Sequence, residues 1–158
     1  MKLPVLFGLL IFLTGCSMDS KHPPLREAAK SKYAVGQVWA YNTRPSEPDA
    51  KLTIVKIEGQ DSIGHIIHVY LDNVKVKTSS NPEKYSETIS HMPFSEAAID
   101  SSVTKQFETV KELPDFKEGY DEWRQSFDAG HAGVFSITVG KAVEYMETTM
   151  LQGHDAKQ

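Results

Sequence analysis

The chain has 158 residues, 40% of them hydrophobic, with 17 Lys and Arg against 21 Asp and Glu and a formal net charge of −4. That acidic balance excludes the basic footprint of a nucleic-acid binder and electrostatic docking on anionic lipid. Its one cysteine, Cys16, excludes an intrachain disulfide framework and a multi-thiolate metal site.

The first fifteen residues, MKLPVLFGLLIFLTG, set one positive residue, Lys2, before a run that is apolar from Leu3 to Leu13 apart from Pro4 and Gly8. A bilayer-spanning helix needs about 20 apolar residues, roughly twice this run. A short apolar run with a positive start and small residues at its end reads as a secretory signal. The stretch Leu13-Thr14-Gly15-Cys16 resembles the lipobox of bacterial lipoproteins. The resemblance implies cleavage between Gly15 and Cys16, a diacylglyceryl group on the Cys16 sulfur and acylation of the new amine. Each buried methylene adds about 0.8 kcal/mol, and stable anchoring takes more than one chain. In enteric-type bacteria an aspartate after that cysteine favours the inner membrane, so Ser17 implies the outer membrane, facing the periplasm. Loss of the signal removes Lys2 and leaves 16 Lys and Arg against 21 Asp and Glu, a net charge of −5.

Residues 16–32, CSMDSKHPPLREAAKSK, are polar and hold Pro23-Pro24 with few large apolar side chains. Such a segment cannot bury enough surface to offset its ordering entropy and reads as a lipidated tether. Extended, it reaches roughly 50 Å; a short helix over Leu25–Lys30 is the alternative. A single domain is expected over residues 33–150, long enough for one real core and too short for two. The tail, residues 151–158, is polar and expected to fray.

The first half of the domain reads as strands. Val38–Thr43 alternates in polarity, and Arg44-Pro45-Ser46-Glu47-Pro48-Asp49 then breaks it with a proline-stiffened loop. Lys51–Glu58 and Ile63–Leu71 are rich in Ile, Val and Leu, with turn residues at Gly59–Ser62. Asp72-Asn73 tolerates positive φ and suits a tight hairpin into Val74–Thr78. A further strand is expected near Glu87–His91. The second half reads as helices. Ser95 is placed to cap one in which Ile99, Val103 and Phe107 recur every four residues. A second starts at Leu113-Pro114-Asp115 and stops near Gly130. After a short strand at Val134–Ile137, Val139, Val143, Met146 and Met150 mark a last amphipathic helix capped by Thr138. Strands followed by about three helices predict an α+β fold. Its core would be a twisted antiparallel sheet, partly barrel-like if it curls, with helices packed on it.

Phe116, Tyr120, Trp123 and Phe127 form an aromatic stripe at helical spacing. It is expected to pack on the sheet, with Lys117, Glu118, Asp121, Glu122 and Arg124 toward water. Gly119 inside that helix indicates close packing or a kink. His65 and His68 stand three apart on a strand and so face opposite ways. His22, His131 and His154 are isolated, and no pair has zinc-motif spacing, so no metal is expected. His68 and His91 can still meet across strands as hydrogen-bonded, partly buried imidazoles.

No lysine follows Asp128–Gly133 at P-loop spacing, no G-x-S-x-G occurs, and no catalytic carboxylate pair stands out, so neither catalytic residues nor cofactors are assigned. The proline-stiffened loop puts Arg44 where binding residues are commonly displayed. With Trp39, Tyr41, His68 and His91 it makes up the candidate binding set. The segments Gly36–Pro45, His91–Ser95 and Gly133–Thr138 also resemble a group of small uncharacterised bacterial proteins, which implies one intact domain and no particular activity. The sequence thus indicates a lipid-anchored, non-catalytic periplasmic protein that binds an envelope protein and neutralises or assists it. A small envelope hydrolase using a His/carboxylate site is the alternative.

Overall fold

The computed structural model describes residues 24–28, 30–78, 81 and 84–155. The signal segment, Cys16 with its lipobox, His22 and the last residues of the tail lie outside them. Eleven elements follow in chain order. They are β1 (Arg26–Glu27), β2 (Gln37–Tyr41), β3 (Lys51–Gln60), β4 (Gly64–Asp72), β5 (Val76–Lys77), β6 (Tyr85–Ser86), β7 (Ile89–Ser95), α1 (Glu96–Asp100), β8 (Val103–Thr109), α2 (Lys117–Asp128) and α3 (Val139–Asp155).

The fold is α+β. Its main sheet is antiparallel and open, in the order β7-β4-β3-β2-β8, with β1 paired to the far end of β3. The long β3–β4 hairpin forms its spine, running from Lys51↔Asp72 to Gln60↔Gly64. β8 ends the sheet without closing it into a barrel, and two register shifts against β2 together with Lys105 blunt that edge against further pairing. β1 stands where the helix over Leu25–Lys30 was the alternative. Ser31 and Lys32, at the end of the expected tether, and Tyr33, the first residue of the expected domain, are fastened to α1 through Glu96 and Asp100.

Alternation along the central strands assigns a face to each side chain. On one face Leu52, Ile54, Ile67, Val69, Leu71, Met92 and Phe94 meet Ala98 and Ile99 of α1 and Val139, Ala142 and Val143 of α3. α2 covers the opposite face, where its one fully buried residue is Phe127. At about 0.8 kcal/mol per buried methylene, the aliphatic face supplies most of the driving force for folding.

Three expectations need correction. The helix expected from Ser95 through Phe107 stops after five residues, and β8 replaces its second half. Ser95 does cap it, accepting from the Ala98 N–H at 3.2 Å. It ends because the Ser101 and Ser102 hydroxyls donate back to the Ala97 and Ala98 carbonyls and the chain turns. Second, Asn73 does take a positive φ of 53°, but the strand after it leaves the main sheet and pairs with β6. Third, the strand expected at Val134–Ile137 reduces to a single parallel bridge, Phe135 to Phe94.

Candidate functional site

The ionisable groups that the fold buries lie mainly in two clusters, one under each long helix. The first is on the α2 face of the sheet. Glu58 projects from β3, His68 from β4 and His91 from β7, while Tyr120, Trp123 and Arg124 reach down from α2. His68 Nδ1 lies 2.8 Å from His91 Nε2, and the rings stack with centroids 5.1 Å apart. On its other side His68 Nε2 stands 3.2 Å from Glu58 Oε2, within ion-pair distance but without the alignment of a hydrogen bond. The Tyr120 hydroxyl donates to both Glu58 oxygens, at 2.9 and 3.1 Å. Arg124 approaches Glu58 at 3.4 Å while its Nε donates to Asp128 at 2.9 Å. Trp123 lies edge-on to His68, 4.9 Å between centroids, and its indole N–H donates to the Gly133 carbonyl at 2.8 Å.

These positions follow from local sequence. α2 begins at Lys117, just after the Leu113-Pro114-Asp115 signal; Phe116 is its N-cap and offers no side-chain acceptor, while Asp115 accepts from the Lys117 N–H at 3.1 Å. Gly130, at φ 75°, ends it. Residues 116, 120, 123 and 127 then share a face, and the aromatic stripe lies on the sheet as expected. Gly119 is where the helix touches β7. A Cβ there would come within 2.9 Å of both His91 Cβ and Ser90 Oγ, so close packing is its role.

Burial disfavours the charged forms of both imidazoles. It pushes the His68 pKa below its ordinary value, against the pull of Glu58. It holds His91 at about 3, with repulsion from a charged His68 adding to the effect. For Glu58, burial pushes upward, but His68 and the Tyr120 hydroxyl outweigh it and the net shift is downward. At neutral pH the cluster is therefore a carboxylate beside two neutral imidazoles. The facing nitrogens already share one proton, which leaves no room for a metal between them. Among the described residues no group of three or more His, Cys, Asp or Glu is arranged to hold a metal ion.

The second cluster contains Arg44, which is not displayed at a loop tip. Its side chain is 12% exposed and turned inward, forming a bidentate pair with Glu47 at 2.9 and 2.8 Å, bonding Glu147 of α3 at 2.8 Å and donating to the Lys75 carbonyl at 2.9 Å. Glu47 and Glu147 also accept the Lys75 and Lys77 backbone N–H groups, at 2.7 and 2.6 Å. The Glu47 hydrogen bonds push the guanidinium pKa up. Arg44 thus clamps its own loop, the β5 segment and α3 together.

The remaining candidates are scattered. Trp39 is half-buried against Tyr33, and its N–H donates to Gln37 at 3.2 Å. Tyr41 is buried, and its hydroxyl lacks a hydrogen-bond partner among the described residues. His65 pairs with Glu96 at 2.6 Å on the side opposite His68, as alternation requires. So the structure joins His68 to His91 and leaves Arg44, Trp39 and Tyr41 apart from them. Sequence reasoning missed Glu58, Glu47 and Glu147 as partners and placed Arg124 toward water. Arg124 was findable, since it stands four residues from Tyr120 and beside Trp123. Glu147, 103 residues from Arg44, gives no such signal.

Among the described residues no helix is long and apolar enough to cross a membrane. Comparison of the chain with protein-family models, with curated proteins and with solved structures finds no match.

Proposed function

We propose that this chain is a lipid-anchored periplasmic lipoprotein, held by acyl chains on Cys16 in the outer membrane, whose domain binds an envelope protein and neutralises or assists it without catalysis. The observation that carries the reading is Leu13-Thr14-Gly15-Cys16 directly after a short apolar run with a positive start. Two features of the domain support the non-catalytic part. The His68–His91 pair is roofed by Trp123 and Tyr120, and Arg44 is spent on internal pairs.

Metabolic palmitate labelling in a bacterial host tests the anchor. The wild-type chain should carry label and fractionate with membranes, and Cys16→Ala should carry none. Equal labelling of the two would overturn the reading. Crosslinking of the lipidated chain in membranes, followed by pull-down, then names the partner. The hydrolase alternative draws on the Glu58–His68–His91 chain and predicts hydrolysis of envelope material that His91→Asn abolishes.

A further inference from the structure

α3 reaches the sheet through aliphatic side chains, Val139, Ala142 and Val143. α2 rests instead on a layer of ionisable groups. β3 contributes Lys56 and Glu58, β4 His68, β7 Ser90 and His91, and α2 itself Tyr120 and Arg124, with Asp128 paired to Arg124. Lys56 Nζ is 3.9 Å from Glu58 and sits over the Tyr120 ring at 5.2 Å. The two cations, Lys56 and Arg124, are thus already matched by the two carboxylates, Glu58 and Asp128, and a further positive charge there has little to balance it.

The facing nitrogens, 2.8 Å apart, hold one proton between them. With both rings neutral, one donates and the other accepts. A first added proton still leaves a single N–H in the gap and puts its charge beside Glu58. A second puts N–H on both facing nitrogens, so the hydrogen bond becomes a repulsion between two adjacent cations. Gly119 packs α2 closely on Ser90 and His91, and Trp123 lies against both rings, so moving the rings apart disturbs the helix contact. Lifting the helix relieves the repulsion.

We propose that the Glu58–His68–His91 chain is an acid-released latch, in which protonation of the stacked imidazole pair frees α2 from the sheet while the β3–β4 hairpin stays paired. Both imidazoles are held below their ordinary pKa when the helix is closed, His91 at about 3. The released state, with imidazoles near the ordinary value of about 6.5, then binds more protons throughout that interval. Stability rises with pH wherever the open state binds more protons, so the latch holds fully above about pH 6.5 and weakens as pH falls toward 3. Glu58, also held below its ordinary value, adds a loss of the same sign at the acid end.

Hydrogen exchange of the intact chain, corrected for intrinsic rates, tests this. Between pH 7 and pH 4 the protection of the α2 amides should fall by about tenfold or more while that of β3 and β4 holds. In His91→Phe, which keeps a ring but removes the facing nitrogen and its titration, the fall in α2 protection should shrink clearly below that of wild type, leaving only what His68 and Glu58 contribute. The latch is overturned if wild-type α2 protection is the same at both pH values. It is equally overturned if β3 and β4 lose protection in step with α2, or if His91→Phe shows the full wild-type fall. Should that variant fail to fold, imidazole 15N shifts of the wild-type chain decide. Both rings neutral at pH 6 with α2 protected is the expected result; both rings protonated at lower pH while α2 stays protected refutes it.

Discussion

Removing Arg44 exposes what the second cluster contributes. Glu47 is 1% exposed and its carboxylate is met by three donors, two from Arg44 and one from the Lys75 backbone. Arg44→Met keeps most of the aliphatic stem and deletes the charge, leaving a buried carboxylate with one N–H. Breaking a buried pair in this way typically costs about 3–5 kcal/mol. A ceiling follows from acid–base chemistry. A carboxylate of ordinary acidity is neutralised at pH 7 for about 3.7 kcal/mol, so a penalty above that is relieved by taking up a proton. The expected loss is therefore about 3–4 kcal/mol at pH 7, shrinking by about 1.4 kcal/mol per pH unit toward pH 5. Urea unfolding followed by tryptophan fluorescence measures both values, provided the slope stays that of wild type. The double variant Arg44→Met/Glu47→Leu removes the stranded charge and should recover about 2 kcal/mol or more of the loss. A single-variant loss under about 1 kcal/mol, or one that is equal at pH 7 and pH 5, would refute the reasoning.

Two further substitutions probe the joints. Ser102 is buried, donates to the Ala98 carbonyl at 2.6 Å and accepts from the Val139 N–H at 2.9 Å, so it joins the end of α1 to the start of α3. Ser102→Ala should cost about 1–2 kcal/mol by leaving that N–H unmet, read as a drop of several degrees in the melting temperature. Gly119→Ala would gain up to about 1 kcal/mol in an open helix, but here its methyl strikes His91 and Ser90, and overpacking costs about 1–3 kcal/mol. A net loss in thermal melting is expected, and a raised melting temperature would show that α2 does not press on β7.

The strands that make the sheet's centre were legible because alternation and β-branched content agree in Lys51–Gln60 and Gly64–Asp72, and α2 because its stripe, its acidic start and its glycine stop coincide. β8 was misread because Ile99, Val103 and Phe107, four apart, imitate a helix. The decisive information lies in Ser101 and Ser102, whose hydroxyls compete for helix carbonyls, and in a β-rich run of Val103, Thr104, Phe107 and Thr109. Of the first cluster, the meeting of His68 and His91 was legible as a cross-strand contact. The role of Glu58 was not, because a carboxylate near a strand end looks like any solvated charge until a helix is laid over it. Arg44 shows the converse. A charged residue in a proline-rich loop suggests display, but the distant Glu147 draws it inward, and nothing local encodes that.

Both long helices are thus tied down by buried ionisable groups in a chain whose single cysteine rules out an intrachain disulfide. The two ties differ in how they meet acid. The α3 tie is an arginine between carboxylates. A guanidinium stays charged at every accessible pH, and no imidazole takes part in this tie. The α2 tie depends on two imidazoles remaining neutral, a condition that weakens from about pH 6.5 downward. The apolar contacts on the two sides differ in kind. α3 buries Val139, Ala142 and Val143 completely, whereas α2 buries only Phe127 to that degree. With a titrating layer beneath it, α2 has the more acid-sensitive attachment. The latch thus sets α2, not α3, as the helix that falling pH loosens.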